Sequence, residues 1–402
     1  MLNIETKYTG KTAFLHLAFR PFFFAALSYA VVSIFLWFLL YSQGAAILPN
    51  DYNIISWHAH EMIFGFAMAT ITGFLLTAVK NWTGIQTIHE KPLLGLFLLW
   101  LVARVLAFVP GSWALPTLAI IDSLYLLVVM WAFSSPVFKK KQWKNLAFSG
   151  KLFLMWFANI IFYLGLLGYL DNGVHYGLYI GFYTMLAVIF NMGRRVIPFF
   201  IEKGLGCPFE AKNYQWVDAS SLWLFLSFSV ADIFIPANHP QGKYLILFFA
   251  LSLVALHGAR LTGWYHKAIW KKSLLWVLYI GYAWIVLGFV LKAMSLLTNL
   301  SPFLALHAFA YGGVGMITSG MMARVSLGHT GNNVFEPPKI LHLIFALLFI
   351  GAFVRVILPI FLGNYYLQLI TISQILWIIA FGLFFIRYAP MLIKARVDGR
   401  YG

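Results

Sequence analysis

The chain has 402 residues, 62% of them hydrophobic and only 10% charged, with a formal net charge of +16. Soluble domains carry about 25% charged residues, so water is excluded as the solvent for most of this surface, and lipid is the solvent that fits. The basic residues sit in short loops between apolar runs rather than on one polar face, which sets nucleic acid aside as a partner.

Apolar runs long enough to cross a bilayer fall at 22–41, 57–79, 93–109, 113–133, 150–170, 175–193, 217–236, 243–257, 274–297, 303–323, 340–362 and 366–387. The first follows basic residues (Lys7, Lys11 and Arg20) and is too long for a signal-peptide core, so it reads as a retained span. The eighth is the shortest and least secure. Of the 28 Lys and Arg residues, 23 lie in the N-terminus, the even-numbered loops and the C-terminus. Positive loops face the cytoplasm. The expected fold is therefore all-α: a polytopic bundle of about twelve spans over residues 1–402, both ends inside, with no soluble domain. The longest loop, expected from Arg194 to about Trp216, is too short to fold alone.

Spans 2 and 10 show a possible internal repeat. A shift of 247 residues lays His60 on His307, Gly65 on Gly312, Gly73 on Gly320, Thr83 on Thr330 and Gly84 on Gly331. Shared membrane-helix composition is the competing explanation. Glycines let helices approach closely in lipid.

Ionisable groups inside spans are costly and mark functional positions. The topology places His58, His60, Glu61 and His307 near the outer ends of their spans. Arg104, Asp232, Lys292 and Arg355 share that outer half, Asp122 lies near mid-depth, and His257 and Arg324 lie toward the cytoplasm. Imidazole is the commonest metal ligand and an axial ligand of haem iron. His58, His60 and His307 are therefore candidate ligands, although rim histidines bonded to water or headgroups would look the same. On a helix His58 and His60 diverge by about 200°; in an extended segment they point the same way. Arg104 pairs plausibly with Asp122 and could instead neutralise haem propionates. His329 reads first as a helix cap. Cys207 is the only cysteine, which excludes a disulfide, a Cys-rich zinc site and covalent c-type haem.

Three strings carry a resemblance: Phe19-Arg20-Pro21-Phe22-Phe23; Trp57-His58-Ala59-His60-Glu61-Met62 with the Gly73-to-Gly84 stretch; and Ala323-Arg324-Val325-Ser326-Leu327-Gly328-His329-Thr330-Gly331. With them the chain resembles the NnrS family of bacterial membrane proteins tied to nitric oxide. The resemblance implies a twelve-span inner-membrane protein with non-covalent b-type haem and copper, acting in nitrosative stress. It carries His58, His60, Glu61, His307, Arg324 and His329 over as candidate functional residues. Haem–copper oxidases offer a looser analogy, with haem held from spans 2 and 10, but their three-histidine copper site has no counterpart in spans 6 and 7 here. Two other readings fit twelve spans: a secondary transporter, and an assembly factor for another metalloprotein.

Overall fold

Twelve long helices carry the chain: α1 Phe19–Ser42, α2 Ile54–Thr83, α3 Glu90–Leu106, α4 Ala114–Lys139, α5 Trp143–Leu166, α6 Gly173–Gly204, α7 Gln215–Phe234, α8 Pro240–Trp264, α9 Ser273–Leu297, α10 Pro302–His329, α11 Ile340–Phe361 and α12 Gly363–Ile393. This is a computed structural model, and it describes residues 12–49, 52–236 and 239–402. Lys7 and Lys11, counted above among the N-terminal basic residues, lie outside the described residues. The described residues contain no strand, only a single bridge between Thr12 and Lys394. Eleven of the helices are long and apolar enough to cross a membrane. The short one is α3, at 17 residues, which at 1.5 Å per residue is about 26 Å and still near the hydrocarbon thickness.

Two expectations need correction. Span 8 is not short, because α8 runs 25 residues; its polar residues His257 and Arg260 have partners on neighbouring helices, so they need not end it. Span 6 does not stop at 193, because α6 continues through Pro198 to Gly204. Arg194 and Arg195 are compatible with a helix, and one proline removes a single helical hydrogen bond without ending it. The loop to α7 is correspondingly shorter.

The segment that leads into α1 lies against the end of α12. Ala13 N–H donates to Ile393 O at 2.8 Å. Buried Arg20 donates to the carbonyls of Met391, Leu392 and Lys394 and to Gly402 O at 2.6–3.2 Å. Those carbonyls end α12 and lack helical partners, so a guanidinium is a suitable cap.

The chain sorts into two compact units. The first holds the described residues up to Met185 with Met322–Val334 and Phe381–Gly402; the second holds Leu186–Met321 and Phe335–Ala380. In the first, α2 starts on Asn53, whose side chain accepts from Ile55 and Ser56 N–H at 3.0 and 3.1 Å. It ends on Gly84, left-handed at φ 72°, the conformation that favours glycine. Between them the helix widens to a π-turn over Glu61–Ala67, directly after His60.

The second His-bearing helix repeats this. In α10 a π-turn over Ala308–Gly315 directly follows His307, and left-handed Gly331 follows the helix at φ 79°. Each π-turn packs against the preceding span and the following one: α1 and α3 in one case, α9 and α11 in the other. The 247-residue shift lays the start of one π-turn on the start of the other and Gly84 on Gly331, so the likeness extends to local structure. Both helices stay continuous, unlike the unwound helices of many carriers.

Candidate functional site

A charged residue in lipid survives only with partners. The first unit meets this with a closed ring of four side chains: Glu61, Arg104, Asp122 and His60, all buried. Arg104, near the end of α3, spends one guanidinium arm on Glu61 Oε2 at 2.7 Å and the other on Asp122 Oδ1 of α4. His60 closes the ring, with Nδ1 3.0 Å from Glu61 Oε1 and Nε2 3.5 Å from Asp122 Oδ2. Tyr29 of α1 donates to Glu61 Oε2, and Tyr163 of α5 donates to Asp122 Oδ2 at 3.1 Å. Asn159 Oδ1 lies 2.9 Å from His60 Nε2. Every carboxylate oxygen therefore has a partner. Two carboxyls and one imidazole surround one guanidinium, away from water.

The π-turn positions this ring. It carries Glu61 toward α1 and α3, and Trp100 Nε1 of α3 donates to Gly65 O at 3.1 Å. Gly65 has no room for a side chain: a Cβ there would stand 2.7 Å from Tyr29 Cε1 and 2.9 Å from Glu61 Oε2. Widened turns of this kind recur at functional sites.

The segment before it is helical, so His58 and His60 diverge. His58 is half-buried and stacks flat on Trp37, with ring centroids 4.3 Å apart. His60 turns inward, its faces covered by Phe162 at 4.4 Å and Phe64 at 4.8 Å. Both His60 nitrogens are engaged by protein oxygens and two phenyl rings lie against the ring, so in this conformation its partners are all from its own chain. Arg104 likewise has both arms on carboxylates of its own chain. The expected Arg104–Asp122 pair is present. Tyr29, Asn159 and Tyr163 were not anticipated; a lone amide in the apolar run of α5 was the available signal.

His307 stands differently, in the second unit. Its Nδ1 donates to Phe303 O at 2.7 Å, which fixes the tautomer and leaves Nε2 as an acceptor. Nε2 lies 3.3 Å from Arg355 Nη2 of α11. Arg355 is buried, stacks over Tyr366 with its carbon 5.5 Å from the ring centroid, and makes no ion pair among the described residues.

A second buried histidine shares that unit. His257 Nδ1 meets Tyr282 OH at 2.6 Å, and its Nε2 is buried without a hydrogen-bond partner. Its ring stacks on Phe190 at 4.4 Å. Arg260 anchors the group through Asp218 at 2.6 Å and Ser221 at 2.7 Å. Asp232 and Lys292 pair at 2.5 Å between α7 and α9.

The last candidates lie in the first unit. His329 O accepts from Arg396 at 2.8 Å, and its ring lies 5.4 Å from Phe19. Arg324, one turn earlier on α10, is half-buried. Among the described residues no three His, Cys, Asp or Glu side chains gather as a metal cage.

No curated protein matches the chain. The family model for the NnrS protein matches residues 13–396. It covers all twelve helices and both π-turns, and the chain belongs to the NnrS family.

Proposed function

We propose that this chain is a haem-containing protein of the bacterial cytoplasmic membrane, acting in the response to nitric oxide, with its cofactor held toward the periplasmic side by α10 and α11. The observation that supports this most is Arg355, a buried cation with no carboxylate partner among the described residues, beside an imidazole of fixed tautomer. An uncompensated buried charge is strongly unfavourable. A ligand with an anionic group and a metal centre satisfies both residues at once, and haem with its propionates is such a ligand. His307 fits the metal and Arg355 the carboxylate. His257, with its orphaned Nε2, is a second imidazole that fits a ligand role.

When bound, haem supplies an iron that coordinates nitric oxide. The chain's own residues orient and insulate. The backbone carbonyl of Phe303 holds the His307 ring in one tautomer. Tyr366 faces the Arg355 guanidinium. The Glu61–Arg104–Asp122–His60 ring ties α2, α3 and α4 together inside the first unit. The resemblance implies copper as well, but the described residues do not present an assembled set of three donors for it, and no step is assigned to it.

The test is an optical spectrum and metal analysis of detergent-purified protein, with and without nitric oxide. A Soret band that shifts on addition of nitric oxide is expected. A folded, colourless, iron-free preparation would overturn the reading.

A further inference from the structure

The likeness between α2 and α10 continues into the helices that follow them, and there the residues diverge. The 247-residue shift lays Glu61 on Ala308, Arg104 on Gly351 and Asp122 on Leu369. The three charged partners of His60 therefore have no charged counterparts at the matched positions around His307. Where α3 sends a guanidinium toward its π-turn, α11 has no side chain at all.

The π-turn fills that space from its own side. Tyr311, four residues after His307, is buried and lies over Gly351. A Cβ on Gly351 would collide with the Tyr311 hydroxyl, and the ring carbons Cζ and Cε1 would stand 2.7 and 3.1 Å from it. The hydroxyl donates to Ser373 O of α12 at 3.0 Å. The ring also meets Trp377 of α12 edge-on, with centroids 4.7 Å apart. Trp377 in turn lies over Gly315, the last residue of the π-turn. One side chain thus joins α10, α11 and α12. A buried phenol requires an acceptor, and the bond to Ser373 fixes where the ring comes to rest.

Two contacts are stacked along α10 and α11. Tyr311 lies four residues after His307, and Gly351 lies four residues before Arg355. The Tyr311–Gly351 contact is therefore about 6 Å, one turn, from the contact between His307 Nε2 and Arg355 Nη2 at 3.3 Å. Leu347, Leu348, Val354 and Arg355 share the Gly351 face, and each carries a side chain. The face thus has one notch, and the phenol fits it in one register of α11 against α10.

We propose that Tyr311 is the positioning residue of this site: seated in the Gly351 notch and tied to Ser373, it sets the register that holds Arg355 beside His307. The inference rests on the reading of His307 and Arg355 as the pair that holds the cofactor. Tyr311 acts through α11 and not on the cofactor itself.

Two rates measured on the purified intact protein test this. One is haem transfer to excess apomyoglobin; the other is phenylglyoxal modification of Arg355, located by mass spectrometry. Gly351→Ala is expected to raise both by about tenfold, the size of effect that one overpacked contact produces. Adding Tyr311→Phe to Gly351→Ala is expected to bring both back toward wild type, because the colliding hydroxyl is gone and the ring, released from Ser373, can tilt. Tyr311→Leu leaves the notch unfilled without adding bulk and is expected to raise the Arg355 rate by itself. Gly258→Ala, with open space at its Cβ position, is expected to match wild type. A purely structural role would lower the melting temperature of Gly351→Ala and Tyr311→Leu with the Arg355 rate unchanged, and that result would overturn the proposal. So would equal rates in Gly351→Ala and the double variant. Wild type purified without haem would sink the haem reading alone, since the Arg355 rates still decide the register.

Discussion

Glu61 and Arg104 face each other at 2.7 Å inside the first unit, and neither has water to turn to. Arg104 bonds both carboxylates of its ring. Arg104→Met therefore leaves Glu61 and Asp122 buried without it. A loss of about 3–5 kcal/mol is expected, read as a fall in melting temperature of the detergent-solubilised protein. Arg104→Met combined with Asp122→Leu should recover part of that loss, because one orphaned carboxylate is removed with its partner. An unchanged melting temperature in Arg104→Met would show that the ring does not hold the helices together.

Gly65 and Gly312 are matched by the repeat and sit in their π-turns with aromatic rings against them. A Cβ on Gly65 meets Tyr29, and one on Gly312 runs into the Trp284 ring. Both glycine-to-alanine changes are expected to destabilise by about 1–3 kcal/mol through overpacking. Gly95→Ala is the control, since nothing lies near its Cβ position. Comparable melting shifts at the two matched sites, with none at Gly95, would support equivalent construction of the π-turns. Tolerance of alanine at both would argue against it.

His16 gives a pH dependence outside the membrane-spanning helices. It is buried and stacks on Tyr401 with centroids 4.1 Å apart. Burial, and then the Arg20 charge, lower its pKa from 6.5; Glu90 opposes this and His89 adds to it. The folded state therefore prefers the neutral ring. The associated stability is present above pH 6.5 and is lost as pH falls from there through the lower folded value. Hydrogen exchange of residues 394–402 should rise on moving from pH 7.5 to 5, after correction for intrinsic exchange rates. His16→Phe keeps a ring to stack but cannot titrate, so its corrected exchange should stay flat. A parallel rise in His16→Phe would assign the effect elsewhere.

Much of this architecture was legible in the chain. The alternation of basic loops gave twelve helices, and His60, Gly65 and Gly84 with their counterparts gave the repeat. Less legible was what local sequence does not encode. The π-turns leave no periodic mark, since a glycine-rich face fits an α-helix equally well. Tyr29 and Tyr163 look like ordinary aromatic residues until the fold brings them to Glu61 and Asp122. The isolated histidine pattern pointed equally to His60 and His307, and only their surroundings separate them. One is enclosed by oxygen atoms and phenyl rings; the other keeps a fixed tautomer beside a guanidinium that has no carboxylate partner among the described residues. Span 8 looked short because His257 and Arg260 are polar, and their partners on α7 and α9 are distant in sequence.

Haem stoichiometry in three purified variants, each shown to be monodisperse and helical, tests the central assignment most directly. His307→Ala and Arg355→Leu should each lose most of the haem measured as the pyridine haemochrome, while His60→Gln keeps it. Full haem in both His307→Ala and Arg355→Leu, or loss confined to His60→Gln, would contradict the assignment.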